Sequence, residues 1–311
     1  MPLYTKLTPN KLAVHSANDT DQDGDGLTNL QEQELAERFA PVIYHQTDEP
    51  NLPANVDWFL GRTALRFFDR TCGVDDLLVT APTQSDLHWL AQQSCGADTS
   101  FDSYNWRDAN KQRTFYLADL TLENRRGPED TRLWTTYYHA YPNNGKGVTI
   151  QYWRFHAYNT GLATSFHVLG KTLEGGFHGG DWEGIQVVLD RDSVPLKAHF
   201  LGHTEISELG WNAVEKEGDH AVIYSEKGGH ASRTSGDRSG IRQETWTGGI
   251  TRWPNGTSTA SGELVNLGAR RAAMNGQLFV YYSGLWGSPS QYSALAQVIP
   301  AALHGVKEMV E

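Results

Sequence analysis

The sequence predicts an all-β protein, an antiparallel β-sandwich with a short N-terminal loop-and-helix segment and a C-terminal helix. Three observations carry that prediction. Short runs rich in β-branched and aromatic residues recur at Phe39–Tyr44, Arg113–Leu122, Leu133–Ala140, Thr149–Tyr158, Gly184–Asp190, Lys197–His203, His220–Ser225 and Leu278–Ser283. Gly, Pro, Asn and Asp separate them, which is the punctuation of turns between antiparallel strands and not of βαβ crossovers. The 31 Gly, 10 Trp and 13 Tyr among 311 residues suit many turns between aromatic strands better than a helical bundle.

Taken in order, residues 1–18 show little periodicity and read as an N-terminal arm. Asp19 to Glu37, DTDQDGDGLTNLQEQELAE, is an acidic, Gly-punctuated loop running into a segment of good helix formers. The domain reading is therefore an arm with its loop over 1–36 and a sandwich over 37–311. At the far end Leu295, Val298, Ile299, Ala302, Val306, Met309 and Val310 recur at helical spacing around Pro300, predicting a helix packed on the sandwich.

Composition removes several function classes. A formal charge of -11, from 37 Asp+Glu against 26 Lys+Arg, repels phosphate backbones, and no dense basic run makes a local exception, so nucleic acid is not an expected partner. No stretch approaches the roughly 18 apolar residues of a membrane span, and a transmembrane protein is not expected. Met1 to Leu12 lacks an apolar signal-peptide core, so no secretory signal is expected in this chain, while export by another route stays open. Cys72 and Cys95 have neither CxxC nor zinc-finger spacing; one disulfide in an exported protein and two buried thiols are both open.

The acidic loop is the first chemical motif. Asp21, Asp23, Asp25, Gly26, Leu27, Asn29 and Glu32 fill positions 1, 3, 5, 6, 7, 9 and 12 of a twelve-residue calcium loop. Alternate carboxylates, a glycine at the sharp turn, one backbone carbonyl and a terminal Glu meet the demand of Ca2+ for several oxygens at about 2.3–2.6 Å. The predicted ligands are Asp21, Asp23, Asp25, the Leu27 carbonyl and Glu32, with Asn29 direct or through water. Thr28 departs from the aliphatic residue usual at position 8, and no second loop pairs with this one. A solvated acidic turn capping the helix is the alternative.

The second motif is FHGGDWEGIQVVL, Phe177 to Leu189. In a strand, Asp181 and Glu183 share a face with Ile185, Val187 and Leu189, so two carboxylates stand in line above an apolar row. Two adjacent carboxylates need a counter-charge, and His178 lies three residues before Asp181 across Gly179 and Gly180. His178, Asp181 and Glu183 thus form a candidate site for a second divalent cation, Mg2+, Mn2+ or Ca2+. The alternative is a hydrogen-bonded acidic pair that orders the turn. His230, on the Gly228–Gly229 turn, is the candidate general acid/base or further ligand, set against a histidine that merely holds its loop. His199, His203 and His220 are weaker candidates. Tyr152 and Trp153, in QYWRFHAYN, and Trp182 are candidate ligand-binding aromatics, although a strand with aromatics on both faces also reads as core. Gly170, Lys171 and Thr172 end like a phosphate loop, but Ser165 stands where its first glycine belongs; HExxH and GxSxG are absent.

Four segments in order, Glu37 to Leu60, Ile150 to Gly161, His178 to Asp190 and His220 to Ser232, resemble the vacuolar protein sorting-associated protein 62 family across most of residues 37–290. That resemblance implies no particular activity. The run His178 to Glu183 is also similar to the metal-binding heptapeptide of necrosis- and ethylene-inducing peptide-like proteins, secreted β-sandwich cytolysins that bind sphingolipid headgroups through a divalent cation. This resemblance implies His178, Asp181 and Glu183 as cation ligands. A further aspartate of that family falls at Gly170 here, so a fourth carboxylate has to come from elsewhere, Glu174 being the nearest in sequence. The expected function is cation-dependent binding of a lipid headgroup or glycan by an extracellular protein, a binding module or toxin. A metal-dependent hydrolase using His230 and a purely structural role for both acidic sites are the alternatives.

Overall fold

A strand that is apolar on both faces has to lie between two layers, and two such strands organise this chain. The computed structural model describes residues 3–6, 20–92, 101–102, 113–161, 166–168, 171–173, 177–202, 206–246, 248–269, 272–273 and 276–289. The elements that position the site are α1 (Asn29–Phe39), β1 (Val42–His45), β2 (Thr136–Pro142), β3 (Val148–Asn159), β4 (His178–Leu189), β5 (His220–Ser225) and β6 (Ile241–Glu244). One sheet has the order Ile206–Gly210, Pro195–Leu201, β4, β3, β2, Leu264–Asn266, with Pro53–Ala54 beside β3. The other runs Lys216–Glu217, β5, β1, β6, Ile250–Arg252, Ser258–Ala260, with Ser232–Arg233 beside β5. The all-β sandwich is as expected, except that β5 pairs β1 and Leu264–Asn266 pairs β2 in parallel.

Between the sheets, Ile150, Tyr152, Ile185 and Val187 meet Ile43, Ala221 and Ile223. On the other face of β3 and β4, Trp153, Phe155 and Trp182 pack with Phe59, Phe67, Phe115, Phe279 and Trp286. This second core involves a three-stranded sheet of Val74–Thr80, Thr63–Asp69 and Arg113–Asp119. Burying one large apolar side chain contributes roughly 1.5–3 kcal/mol, so packing on two faces makes β3 and β4 the spine of the molecule. Helix α1 starts at a capping box in which the Thr28 hydroxyl accepts from Gln31 N–H and the Gln31 side chain accepts from Thr28 N–H. Its Ala36 and Phe39 enter the sandwich core, and the Tyr152 hydroxyl donates to the Ala36 carbonyl at 2.9 Å. The boundary expected after residue 36 thus falls inside α1.

Some expected elements differ. Leu278–Ser283, expected as a strand, holds a single 3-10 turn, Leu278–Tyr281, which buries the consecutive Phe279 and Val280 where alternation would expose one of them. Phe39 closes α1 and does not open a strand, and β2 starts at Thr136 because Asp130 caps a 3-10 turn over Thr131–Leu133. The hairpin Thr63–Asp69 with Val74–Thr80 was not legible in the sequence pattern. Cys72 is disulfide-bonded; Cys95, the expected C-terminal helix, His203, Gly170 and Glu174 lie outside the described residues. Among the described residues no helix is long and apolar enough to cross a membrane.

Gly180 sits at φ +62°, and a Cβ there would stand 2.3 Å from Trp286 Cβ. Gly180→Ala is expected to cost about 2 kcal/mol or more through backbone strain and overpacking, read as a melting temperature several degrees lower. An unchanged melting temperature would count against this packing.

Candidate functional site

Antiparallel pairing of β3 with β4 sets Arg154 opposite Glu183, His156 opposite Asp181 and Asn159 opposite His178. Along this inward face the apolar row Ile150, Tyr152, Ile185 and Val187 gives way to charge, and the facing strands change with it, from Ile43 to His45 and from Ile223 to Ser225. All of these polar side chains are buried. Unbalanced charge in such a place is costly, so each group needs a partner.

Asp181 is at the centre. Its Oδ2 accepts from His230 Nδ1 at 2.7 Å and from Asn159 Nδ2 at 3.0 Å. Its Oδ1 lies 3.9 Å from His178 Nε2, while His178 Nδ1 donates to the Gly180 carbonyl at 3.1 Å. His230 Nε2 meets Glu49 Oε1 at 3.3 Å. Glu49 is itself held by the N–H groups of Asn51, at 2.9 Å, and Gly228, at 3.0 Å. His230 adopts φ +55° at the end of its turn and donates its backbone N–H to the Glu226 carbonyl at 2.7 Å. The His156 ring stacks on it, 3.7 Å between centroids and 10° from parallel. Nδ1 of that second ring donates to the Asn51 carbonyl at 2.8 Å.

The electrostatics sort these groups. Burial opposes charge on His230, but its hydrogen bonds to Asp181 and Glu49 win and raise its pKa to about 9. Burial, reinforced by the charge of His230, holds His156 well below the usual imidazole range, and burial with Arg154 nearby takes His45 down to about 3. Burial lowers Arg154 to about 10 against the pull of Glu183 and Asp181, so it stays cationic at neutral pH. The stack thus pairs one charged imidazole with one neutral one.

The sequence-predicted residues fall in several places. His178 and Asp181 come together, and Glu183 lies on the same face beside Arg154. The close three-residue group of acid or imidazole ligand atoms among the described residues is a different one, Asp21, Asp23 and Asp25, so the His178, Asp181, Glu183 set is looser. His230 joins Asp181 with both ring nitrogens engaged. Trp182, Tyr152 and Trp153 are only 8%, 1% and 2% exposed and sit inside the two cores. His199 pairs with Gln186 and Glu208, and His220 donates to the Ala40 carbonyl and stacks on Trp246, away from this cluster. Glu49, Asn51, Arg154, His156 and Asn159 were missed. A sequence signal existed for three of them, since Arg154, His156 and Asn159 interrupt an otherwise aromatic buried strand.

The N-terminal loop can hold a metal ion. Ligand atoms of Asp21, Asp23 and Asp25 lie within 4.8 Å of one another. Asp21 shapes the turn by accepting from the N–H groups of Gly24 at 2.7 Å, Asp25 at 3.1 Å and Gly26 at 2.9 Å. Asn29 accepts from Gln22 N–H at 3.1 Å, and Leu27 packs against the sandwich core. Both Asp23 carboxylate oxygens, Asp25 Oδ2 and Glu32 Oε1 are shut off from solvent without a hydrogen-bond partner. The other Glu32 oxygen accepts from Asn266 Nδ2 at 3.1 Å, tying the loop to the sandwich edge. Burial and then neighbouring acids raise Asp23 to about 7 and Glu32 to about 9. Thr28, odd for a calcium loop, is explained by its helix-capping role.

Fold and site together define a β-sandwich protein with a buried charge network at one end and a cation-competent loop at its entry. The chain belongs to the vacuolar protein sorting-associated protein 62 family, whose model matches residues 5–241. A comparison with curated proteins finds no match. Similar solved structures include necrosis and ethylene inducing protein 2 from the causal agent of cocoa's witches' broom disease, at 12% identity and TM-score 0.38, covering 86% of this chain and 90% of that one. NLPPya in complex with glucosamine is similar at 11% identity and TM-score 0.41, covering 96% and 99%. A structure described as a toxin fold as basis for microbial attack and plant defense has 12% identity and TM-score 0.40, with the same coverage, 96% and 99%. Likeness at this level bears on neither ligand nor activity.

These pKa shifts fix a pH profile. His230 rises from 6.5 to about 9, so its pairing contributes fully below pH 6.5 and is lost as pH rises through about 9. Asp23, raised from 3.8 to about 7, and Glu32, raised from 4.5 to about 9, likewise stabilise the metal-free fold most at acid pH and lose that contribution as pH rises through those values. Melting followed in chelator should show stability falling from about pH 4 toward pH 9. A saturating divalent cation should remove the loop's share and leave the fall between about pH 6.5 and 9. A flat profile in chelator would contradict both assignments.

Proposed function

We propose that the protein is a secreted, divalent-cation-dependent binding module. One cation at His178, Asp181 and Glu183 engages an anionic or polyhydroxylated ligand, a lipid headgroup or a glycan. The observation that carries this reading is the 3.9 Å gap between His178 Nε2 and Asp181 Oδ1. It is too long for a hydrogen bond, yet it suits two ligands of one ion at about 2.0–2.6 Å each. The Gly180 carbonyl takes the other imidazole proton, which is how metal-ligating histidines are usually oriented. Ligand contacts beyond the ion come from Phe177, 36% exposed beside His178, because Tyr152, Trp153 and Trp182 are core residues. The disulfide-bonded state of Cys72 supports an oxidising, extracellular location. Binding is favoured over hydrolysis because a proton shuttle needs a nitrogen open to substrate, and both nitrogens of His230 face carboxylates.

The loop ion is Ca2+ in this reading, because only oxygen donors line the turn and Glu32 closes it. Calcium at about a hundred times its Kd should stabilise the protein by about 2.7 kcal/mol, and Asp23→Asn should remove most of that gain in a thermal melt. Equal melting with Ca2+ and with chelator would overturn the assignment.

Ligand binding is tested with liposomes carrying anionic or glycosylated headgroups and with a glycan panel, each with and without chelator. His178→Ala and Glu183→Gln should weaken saturable binding about tenfold or more, as should chelation. Binding that survives chelator unchanged would sink the proposal. Asp181→Ala is a poorer probe, since stripping a partner from buried His230 costs about 3–5 kcal/mol of stability by itself.

A further inference from the structure

Resting on the calcium reading of the N-terminal loop, we infer that Asn266, at the end of the edge strand Leu264–Asn266, is a positioning residue for the loop ion, holding Glu32 by one carboxylate oxygen so that the other is presented to the metal. The argument begins with where Glu32 stands on its helix. It precedes Ala36 by four residues and Phe39 by seven, so the three share the inward face of α1, and all three are buried. An acid at the head of an apolar stripe is costly unless something inside meets it. Asn266 Nδ2 donates to Oε2 at 3.1 Å, while Oε1 is shut off from solvent without a hydrogen-bond partner. The carboxylates close enough to act on Glu32 are those of Asp23, Asp25 and Asp21, the loop's other oxygen donors. Both oxygens of Asp23 and Oδ2 of Asp25 are likewise buried without a partner. Neighbouring buried oxygens that no donor answers are what a hard dication takes.

Ligand atoms of Asp21, Asp23 and Asp25 already lie within 4.8 Å of one another, and Glu32 stands outside that group. Its approach to the ion therefore depends on what its other oxygen is tied to. Asn266 is a firm tie because its own amide is fixed. Its Oδ1 accepts from Gly268 N–H at 2.9 Å, and its side chain also hydrogen-bonds the hydroxyl of Tyr138, its partner in the parallel pairing with β2. Gly268 stands at φ +69°, which closes the turn directly after the strand, and Leu267 N–H donates to the Tyr138 carbonyl at 2.8 Å. Turning the amide over would give up the Gly268 bond and set an acceptor against an acceptor at Glu32. The last ligand of the loop is thus placed from a strand 234 residues away in sequence.

The test uses the full chain carrying His178→Ala, which silences the second cation site, and reads Ca2+ affinity by calorimetry. Asp23→Asn on that background establishes the loop as the binder. Asn266→Ala leaves every loop residue in place and should weaken Ca2+ about tenfold to a hundredfold while circular dichroism shows a folded sandwich. Asn266→Ser is the gentler variant, since its hydroxyl can still accept from Gly268 N–H but is too short to hold Glu32, and it should weaken Ca2+ to the same degree. In a Glu32→Ala background neither change should matter further, because the tie then has nothing to hold. If Ca2+ binds through Asp23, yet both Asn266 variants bind as tightly as their parent or more tightly, Asn266 does not present Glu32; the inference falls and the calcium loop stands. An equal loss with and without Glu32 would make Asn266 a structural residue and overturn the inference as well. If the parent binds no Ca2+, or binds it regardless of Asp23, the calcium loop itself is wrong and the inference falls with it.

Discussion

Charge sealed between two sheets has to be answered by opposite charge within hydrogen-bonding reach, and the end of this sandwich is arranged around that demand. Strands β3 and β4 are pinned by apolar packing on both faces, so the side chains at their ends cannot swing out to water. Arg154, His156, Asp181 and Glu183 are held inside by the same register that buries Ile150, Tyr152, Ile185 and Val187. The apolar rows supply the rigidity, and the polar end inherits it. Loops far away in sequence then close over the charges: Glu49 from the segment after β1, and His230 from the turn after β5.

The N-terminal loop meets the same demand without an internal answer. In the sandwich, Asp181 has an imidazolium and an amide; in the loop, Asp23 has other acids for neighbours and two oxygens without a partner. Raised carboxyl pKa values in the loop and a raised imidazole pKa in the sandwich are two outcomes of one rule, set by whether the protein supplies the opposite charge. Glu32 couples the loop to the rest, since one oxygen takes a hydrogen bond from Asn266 on the sandwich edge while α1 carries Ala36 and Phe39 into the core. An ion bound there would therefore stabilise the helix and the sheet edge together.

The sequence made the sandwich legible because alternation and turn residues are local signals, and the acidic loop because its ligands are spaced within twelve positions. It placed Asp181 and Glu183 on one inward face, which the register of β3 and β4 bears out. It could not show Glu49 or Asn51, because what gives them a role is a closure between segments about 180 residues apart. The 3-10 turn at Leu278–Tyr281 was hidden for a related reason: an apolar run of that length buries equally well as a strand or as one turn, and only the aromatic pocket of Trp182 and Trp286 decides. Trp182, Tyr152 and Trp153 show the reverse error of emphasis, since rings suited to stacking on a ligand are equally suited to filling a core with two faces.

Asp181 serves the fold and the proposed site with different atoms. Oδ2 accepts from His230 and Asn159, and Oδ1 lies 3.9 Å from His178 Nε2, all of them buried. Glu49, on the far side of the imidazole, gives the second ring nitrogen of His230 a carboxylate partner. The histidine on the Gly228–Gly229 turn has both ring nitrogens facing acids. The glycines bring the backbone close enough to Glu49 for Gly228 N–H to hold the carboxylate that holds His230, and the ring is spent on linking two acids.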